Sequence, residues 1–286
     1  MKLHNIGIIG RGFVGSAVGA GMSDSTGFSS KIRVYDKDES KSTHSLEDVV
    51  NKSSIVFISV PTPTTKSGII DLSIVESLFE SISKMSSNND CVFLLRSTVV
   101  PGTTETLANK FPKLNIVFNP EFLTERSAFF DFINQSRVIL GGKKEHTKKV
   151  KNLYKERFGS YLPVIETSYE TAELIKYMNN LFFATKVSFL NEMYEVAHKM
   201  NIDWETAVEG FVLDGRIGHS HLSVPGPDGK FGFGGSCFPK DIQAFIDFSK
   251  SLGLNPSVLE GAWDTNLRVR PEKDWEKLKG RAISED

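Results

Sequence analysis

The stretch Gly232-Phe233-Gly234-Gly235-Ser236-Cys237-Phe238-Pro239-Lys240-Asp241 gathers more reactive chemistry than any other segment of the chain. Two glycines run into a thiol, and without a Cβ they let backbone and ligand come close. Lys240 adds a cation that favours the thiolate, the nucleophilic form. Asp241 adds a carboxylate able to hold a water or accept a proton. Cys237 therefore reads as a nucleophile; the competing reading is a free cysteine packed as a small hydrophobe. Upstream, Lys176 and Asn180 stand i, i+4 and share a helical face. On an otherwise apolar helix that face wants a polar neighbour, the plainer alternative being a snorkelling lysine.

The other end of the chain carries a different chemistry. Residues 5–10 read as a short buried strand, followed by Gly10-Arg11-Gly12-Phe13-Val14-Gly15 and a helix of small residues. This is a dinucleotide loop in its proper setting. Gly10 makes the tight turn, Gly12 admits the pyrophosphate and Gly15 packs helix on strand. The pyrophosphate then meets the positive end of the helix. A second strand, 31–35, ends at Asp36, whose carboxylate suits a ribose hydroxyl and repels a 2′-phosphate, favouring NAD over NADP. Arg11, between the glycines, is either simply exposed or an added phosphate contact.

Both chemistries need elements to hold them. Strands over 54–60, 91–96, 115–118, 137–141 and 162–166 alternate with helices over 71–85, 103 onward and 143–157, so the expectation is an α/β, doubly wound parallel sheet. Ligands bind beyond the carboxyl ends of such strands, where the loops 61–65, 97–103 and 119–125 fall. The basic run 143–157 carries Val150, Leu153, Tyr154 and Phe158 at helical spacing, and reads as a solvated face over a buried stripe. From Ser168 to Met200 there is neither proline nor glycine, and apolar residues recur around nearly the whole circumference. That pattern predicts a long helix buried in a bundle or at a subunit contact. A shorter helix over 203–212, a Gly/Pro-rich loop over 214–230 and a helix over 241–252 follow. The polar run after Trp263 reads as a terminal helix with a frayed tail. The expected organisation is a nucleotide-binding Rossmann-like domain over 1–167, an all-α domain built on the long helix over 168–265, and a polar tail over 266–286.

Composition narrows the class. The 286 residues are 40% hydrophobic and 24% charged, with a net charge of −1, which gives no reason to expect nucleic acid or an anionic membrane as partner. Two cysteines cannot build a disulfide framework and suit a reducing cytosol. No apolar stretch approaches a bilayer-spanning length, and the N-terminus has no signal-peptide architecture; a cytoplasmic protein is the expectation. His219 and His221 lack further ligands nearby, so no metal is expected.

Taken together, the motifs resemble the nucleotide-sugar dehydrogenases, the UDP-glucose/GDP-mannose dehydrogenase family. The resemblance runs from residue 5 to about residue 265. It rests on the glycine loop, Ser97-Thr98-Val99 before Pro101-Gly102-Thr103, Asn119-Pro120-Glu121-Phe122-Leu123 with Glu125, Lys176 with Asn180 and Asn191-Glu192, Asp214 with Arg216-Ile217-Gly218, and the cysteine stretch. It implies two successive NAD-dependent oxidations that take a sugar CH2OH to a carboxylate, UDP-glucose to UDP-glucuronate in the leading case. GDP-mannose and UDP-N-acetylmannosamine are the rival substrates. By the same resemblance Cys237 attacks the aldehyde, and the thiohemiacetal becomes a thioester that water hydrolyses. Lys176 and Asn180 stabilise the oxyanions, Asp241 and Thr98 organise the water, and Glu121 takes part in proton transfer. The cofactor contacts implied are Gly10, Gly12, Phe13, Val14, Gly15, Asp36, Pro61, Thr62, Thr98, Glu125 and Lys240. The substrate contacts implied are Glu121, Phe122, Leu123, Lys176, Asn180, Phe233, Gly234, Gly235 and Arg216, the last reaching a neighbouring subunit's site in a homodimer built through the helical domain.

Two departures stand out. Family members usually continue into a second Rossmann-like domain that grips the nucleotide, whereas this chain ends at Asp286; the resemblance is to a short form without it. Arg96 and Arg126 stand where lysine and glycine are common. Two other functions fit parts of the pattern. A two-electron β-hydroxyacid dehydrogenase shares the Rossmann domain, long helix and helical lysine but needs no thiol. A non-catalytic NAD-binding partner of a full-length homologue needs none of the reactive set.

Overall fold

The computed structural model describes residues 3–285. The chain forms two compact units, one from Met1–Thr62 with Leu72–Lys176, the other from Pro63–Asp71 with Tyr177–Asp286.

The first unit runs β1 (His4–Ile9), α1 (Phe13–Gly21), β2 (Ser30–Tyr35), α2 (Leu46–Lys52), β3 (Ile55–Ile58), α3 (Ser73–Met85), β4 (Val92–Leu95), α4 (Thr103–Lys110), β5 (Asn115–Phe118), α5 (Ala128–Ile133), β6 (Val138–Gly141), α6 (Lys144–Phe158) and β7 (Val164–Thr167). The strands lie in the order β2-β1-β3-β4-β5-β6-β7. Every residue of β3 and β4 is buried. Their side chains alternate between two cores, Val56, Ile58, Phe93 and Leu95 on one face and Ile55, Phe57, Val92 and Leu94 on the other. Continuous apolar runs of this kind belong to strands covered on both faces, the doubly wound arrangement the alternation predicts.

One pairing departs from the parallel expectation. β5 and β6 meet in a single antiparallel pair, Phe118 with Gly141, while the other pairings are parallel. The link between them carries the six-residue α5, about 9 Å long, which does not carry the chain back along the strands as a full crossover does. It packs on α1, where a Cβ on Gly21 would lie 2.4 Å from Phe132. The short α2 and α5 have too few turns to show a helical period in the sequence.

The second unit is helical: α7 (Tyr169–Met200), which both units share, then α8 (Trp204–Val212), α9 (Phe238–Ser251) and α10 (Ser257–Val269). The apolar girdle of α7 resolves into two stripes. Leu181, Ala184, Leu190 and Ala197 are buried, whereas Met178, Phe182, Phe189, Met193 and Val196 are exposed. α9 starts at Phe238 rather than at Asp241, because Pro239 in its first turn has no N–H to satisfy there.

The polar terminus differs most from its expectation. The helix begins at Ser257, well before Trp263, and the described residues after it, 270–285, are not a frayed tail. Trp275 is buried and packs on Trp263 with ring centroids 5.2 Å apart. Thr64 donates its N–H to Ala282 O at 3.0 Å and accepts from Ser284 N at 2.8 Å. The charged residues of this stretch mislead because Arg270 turns inward onto paired carboxylates. Among the described residues no helix is long and apolar enough to cross a membrane.

Candidate active site

In the first unit the dinucleotide loop has the geometry its glycines imply. Gly10 adopts φ +89°, and a Cβ there would lie 2.3 Å from Ser59 O. A Cβ on Gly15 would lie 1.9 Å from Gly10 O, so only glycine lets α1 sit so close to the end of β1. Gly12, the N-cap of α1, faces open space, with nothing within 4 Å of a built Cβ. That opening at a helix N-terminus is the cradle a pyrophosphate requires. Asp36, at the end of β2, accepts Arg11 N at 2.5 Å and Asp38 N at 2.9 Å, which fixes its carboxylate beside the loop. Arg11 itself is exposed and donates to Lys41 O at 3.2 Å. Phe13 and Val14, half-buried, open α1. These residues fit NAD.

Beyond β3 and β4, two loops are stitched together. Ser97 Oγ donates to Val60 O at 2.6 Å, and Thr62 Oγ1 donates to Thr98 O at 2.8 Å, leaving Pro61 exposed and Thr98 half-buried. Beyond β5, Glu121 and Lys176 form an ion pair at 2.9 Å, with side chains 9% and 5% exposed. Lys176 also donates to Glu121 O at 2.6 Å, and the second carboxylate oxygen accepts Leu123 N at 2.7 Å. The Lys176 ammonium lies 5.5 Å from the Phe122 ring centroid. A buried lysine so held is fixed in position, not snorkelling. Glu125 is exposed in a turn before α5.

The second unit assembles the other reactive groups. Cys237, half-buried, is the N-cap of α9, where the helix dipole favours a thiolate. Asp241 lies one turn on, 1% exposed. It accepts Asn180 Nδ2 at 2.6 Å on one oxygen and pairs with Lys240 at 2.5 Å on the other. Gly234 and Gly235 precede the thiol, half-buried, Gly235 at φ +73°. Phe233 is buried against Trp263 and Phe238, both with ring centroids 6.1 Å away, and anchors the loop. Arg216, its side chain 89% exposed, is held by Asp214. The other thiol differs: burial pushes Cys91 up to about 12, which makes it inert at neutral pH.

Two family models match the chain. The NAD-binding domain model of the UDP-glucose/GDP-mannose dehydrogenase family matches residues 36–158, and that family's central-domain model matches 170–268. The chain belongs to this family. It is 36% identical over 245 residues to the UDP-glucose 6-dehydrogenase of Rickettsia bellii, covering 83% of this chain and 54% of the relative. It is 34% identical to the UDP-glucose 6-dehydrogenase TuaD of Bacillus subtilis, covering 80% and 49%. A solved UDP-glucose dehydrogenase from Pyrobaculum islandicum superposes with a TM-score of 0.81 at 27% identity, over 93% of this chain and 68% of that one. The chain thus spans about half the length of these curated relatives.

Within the family's NAD-binding domain, sequence reasoning missed a buried network. Arg96, at the end of β4, donates to Asn119 Oδ1 at 2.6 Å and to Tyr154 OH at 3.0 Å, both neutral partners. It also missed Glu173, buried on α7, which accepts Gly102 N at 2.7 Å and both Thr104 N and Thr104 Oγ1 at 2.8 and 2.6 Å. Burial pushes the Glu173 carboxyl up to about 7 against those bonds. In the central domain Lys186 donates to Ile217, Gly218 and Ser220 carbonyls, tying down the loop after Arg216. Such residues leave little signal in a single sequence, since a lone charge reads as solvated until its partner is known.

Proposed function

We propose that the protein oxidises the CH2OH of a nucleotide sugar, UDP-glucose, to the carboxylate in two steps through Cys237. The observation that carries this reading is the thiol at the N-terminus of α9 with Asp241 one turn on, itself bonded to Asn180. A two-electron alcohol oxidation needs no such thiol. The names of the relatives support UDP-glucose as substrate.

NAD, which Gly10–Gly15 and Asp36 would hold, would supply the hydride acceptor for both oxidations. The chain's residues do the rest. Glu121, bonded to Lys176, takes part in proton transfer from the sugar hydroxyl, and Lys176 and Asn180 stabilise negative charge on the sugar oxygen. Cys237 adds to the resulting aldehyde to give a thiohemiacetal. Loss of a hydride and a proton converts this to a thioester. Asp241, with Thr98, orients the water that releases the carboxylic acid and frees the thiol. We further infer a homodimer through the exposed stripe of α7, with Arg216 reaching the neighbouring subunit's substrate.

The test is to mix protein, NAD and UDP-glucose and count NADH. Two per sugar, abolished by Cys237→Ala, is the expected result, with GDP-mannose and UDP-N-acetylmannosamine turned over more slowly. One NADH per turnover and indifference to Cys237→Ala identifies a β-hydroxyacid-type dehydrogenase instead. No turnover with any nucleotide sugar overturns the reading. Sedimentation at working concentration tests the dimer, a fully active monomer being the contrary result.

A further inference from the structure

We propose that Arg270 and Asp274 are positioning residues for Cys237, holding the backbone of the glycine loop that delivers the thiol. The kinetic part of this proposal rests on the reaction above; the structural part does not. The Arg270 side chain is 3% exposed and bridges two carboxylates, Asp274 Oδ1 from Nε and Asp228 Oδ2 from Nη2, each at 2.6 Å. It also donates to Phe231 O at 3.2 Å. The second oxygen of Asp274 accepts Gly235 N at 3.1 Å. The loop lies directly on this cluster, since a Cβ on Gly234 would stand 2.4 Å from both Arg270 Nη2 and Asp274 Oδ1.

Upstream the hold continues. Asn191 Oδ1 accepts Gly232 N at 3.0 Å, and Asn266 bonds both the N–H and the carbonyl of Phe233, at 2.7 and 3.0 Å. Three backbone N–H groups between Gly232 and Gly235 are therefore gripped by side chains, and Cys237 follows two residues later. Gly232 and Gly235 both take positive φ, +65° and +73°, so the loop has few conformations of its own to fall back on. An ion cluster around a buried guanidinium is a poor way to gain stability, since apolar packing of the same volume does as well. It is a good way to specify one geometry, because breaking any member strands a charge. Here the geometry specified is the approach to the thiol.

The experiment measures alkylation of Cys237 by iodoacetamide in the full chain, read by peptide mass, with buried Cys91 as the internal unreactive thiol. Asp274→Ala removes both grips, Asp274→Asn keeps one acceptor for Gly235 N, and Lys277→Ala on the same turn is the control. With the loop released and α9 intact, Asp274→Ala raises the alkylation rate about tenfold, Asp274→Asn raises it less, and Lys277→Ala leaves it unchanged. In turnover, Asp274→Ala raises KM for the nucleotide sugar about tenfold, with NAD affinity within about twofold of wild type. Alkylation and KM both within twofold of wild type overturn the proposal. So does a parallel loss of NAD affinity and thermal stability in Asp274→Asn, which marks a purely structural role. If Asp274→Ala shifts alkylation but the wild type turns over no nucleotide sugar, the functional reading fails and the positioning role stands.

Discussion

The chain holds two glycine loops, and they are held in opposite ways. Gly10–Gly15 is closed by its own neighbours: the carbonyl of Gly10 packs on Gly15, and Ser59, just past the adjacent strand β3, packs on Gly10. Steric fit over a few residues mainly defines it, with Asp36 accepting Arg11 N as a polar strut. Gly232–Gly235 is held by polar side chains from distant segments, Asn191 on α7, Asn266 on α10 and Asp274 beyond it. A loop that must fit one fixed cofactor shape can be set mainly by contact. The loop ahead of Cys237 is set by struts, polar side chains whose removal strands its backbone groups.

That contrast can be broken at several points. The largest effect belongs to the steric loop. Gly15→Ala drives a methyl into Gly10 O, and is expected to cost about 4 kcal/mol or more and abolish NAD binding, as measured by denaturation and calorimetry. Next is a strut in the first unit. The Glu173 carboxyl titrates at about 7 against an ordinary 4.5. Its folded form binds the proton more tightly, so its contribution is fully present below about pH 4.5 and lost as pH rises through 7, about 3 kcal/mol in all. Denaturation midpoints of wild type should therefore decline over that window, and Glu173→Gln should flatten the decline. A wild-type profile as flat as the variant's would contradict this.

Smaller again is Asn266→Ala, which strands the N–H and carbonyl of Phe233. It should cost about 2 kcal/mol and raise the alkylation rate of Cys237 without touching NAD affinity. A change in NAD binding there would erase the distinction between the loops. The smallest effect is the surface pair Arg268–Glu195, half-exposed on both sides. Glu195→Gln should shift stability by less than about 0.5 kcal/mol and serves as the baseline for the others.

The same contrast explains what could be read in advance. The first loop was legible because steric rules are local: strand, glycines, helix and Asp36 fall within one short window. The sheet was legible because continuous apolar runs separated by helices admit few arrangements. The antiparallel β5–β6 pair was not, since nothing in the residues of α5 announces that the chain re-enters the sheet from the other direction. Cys237, Asp241, Lys176 and Asn180 were visible as reactive types. That Lys176 bonds Glu121 and Asn180 bonds Asp241 was not visible, because such pairs are set by folding across more than fifty residues. The segment after Val269 was misread for the same reason. Arg270 and Asp274 look like a solvated i, i+4 pair until Asp228 is brought to the other side of the guanidinium.

The guanidinium of Arg96, at the carboxyl end of β4, is bonded to an amide and a phenol and lies 5.9 Å from the Phe57 ring centroid, all of them neutral. None of these neighbours offsets its charge, so the guanidinium adds a positive potential at this end of the sheet. A diphosphate approaching the strand ends would feel it before touching anything. Ionic strength should accordingly weaken NAD capture by the wild type, and weaken it less when Arg96 is replaced by Met.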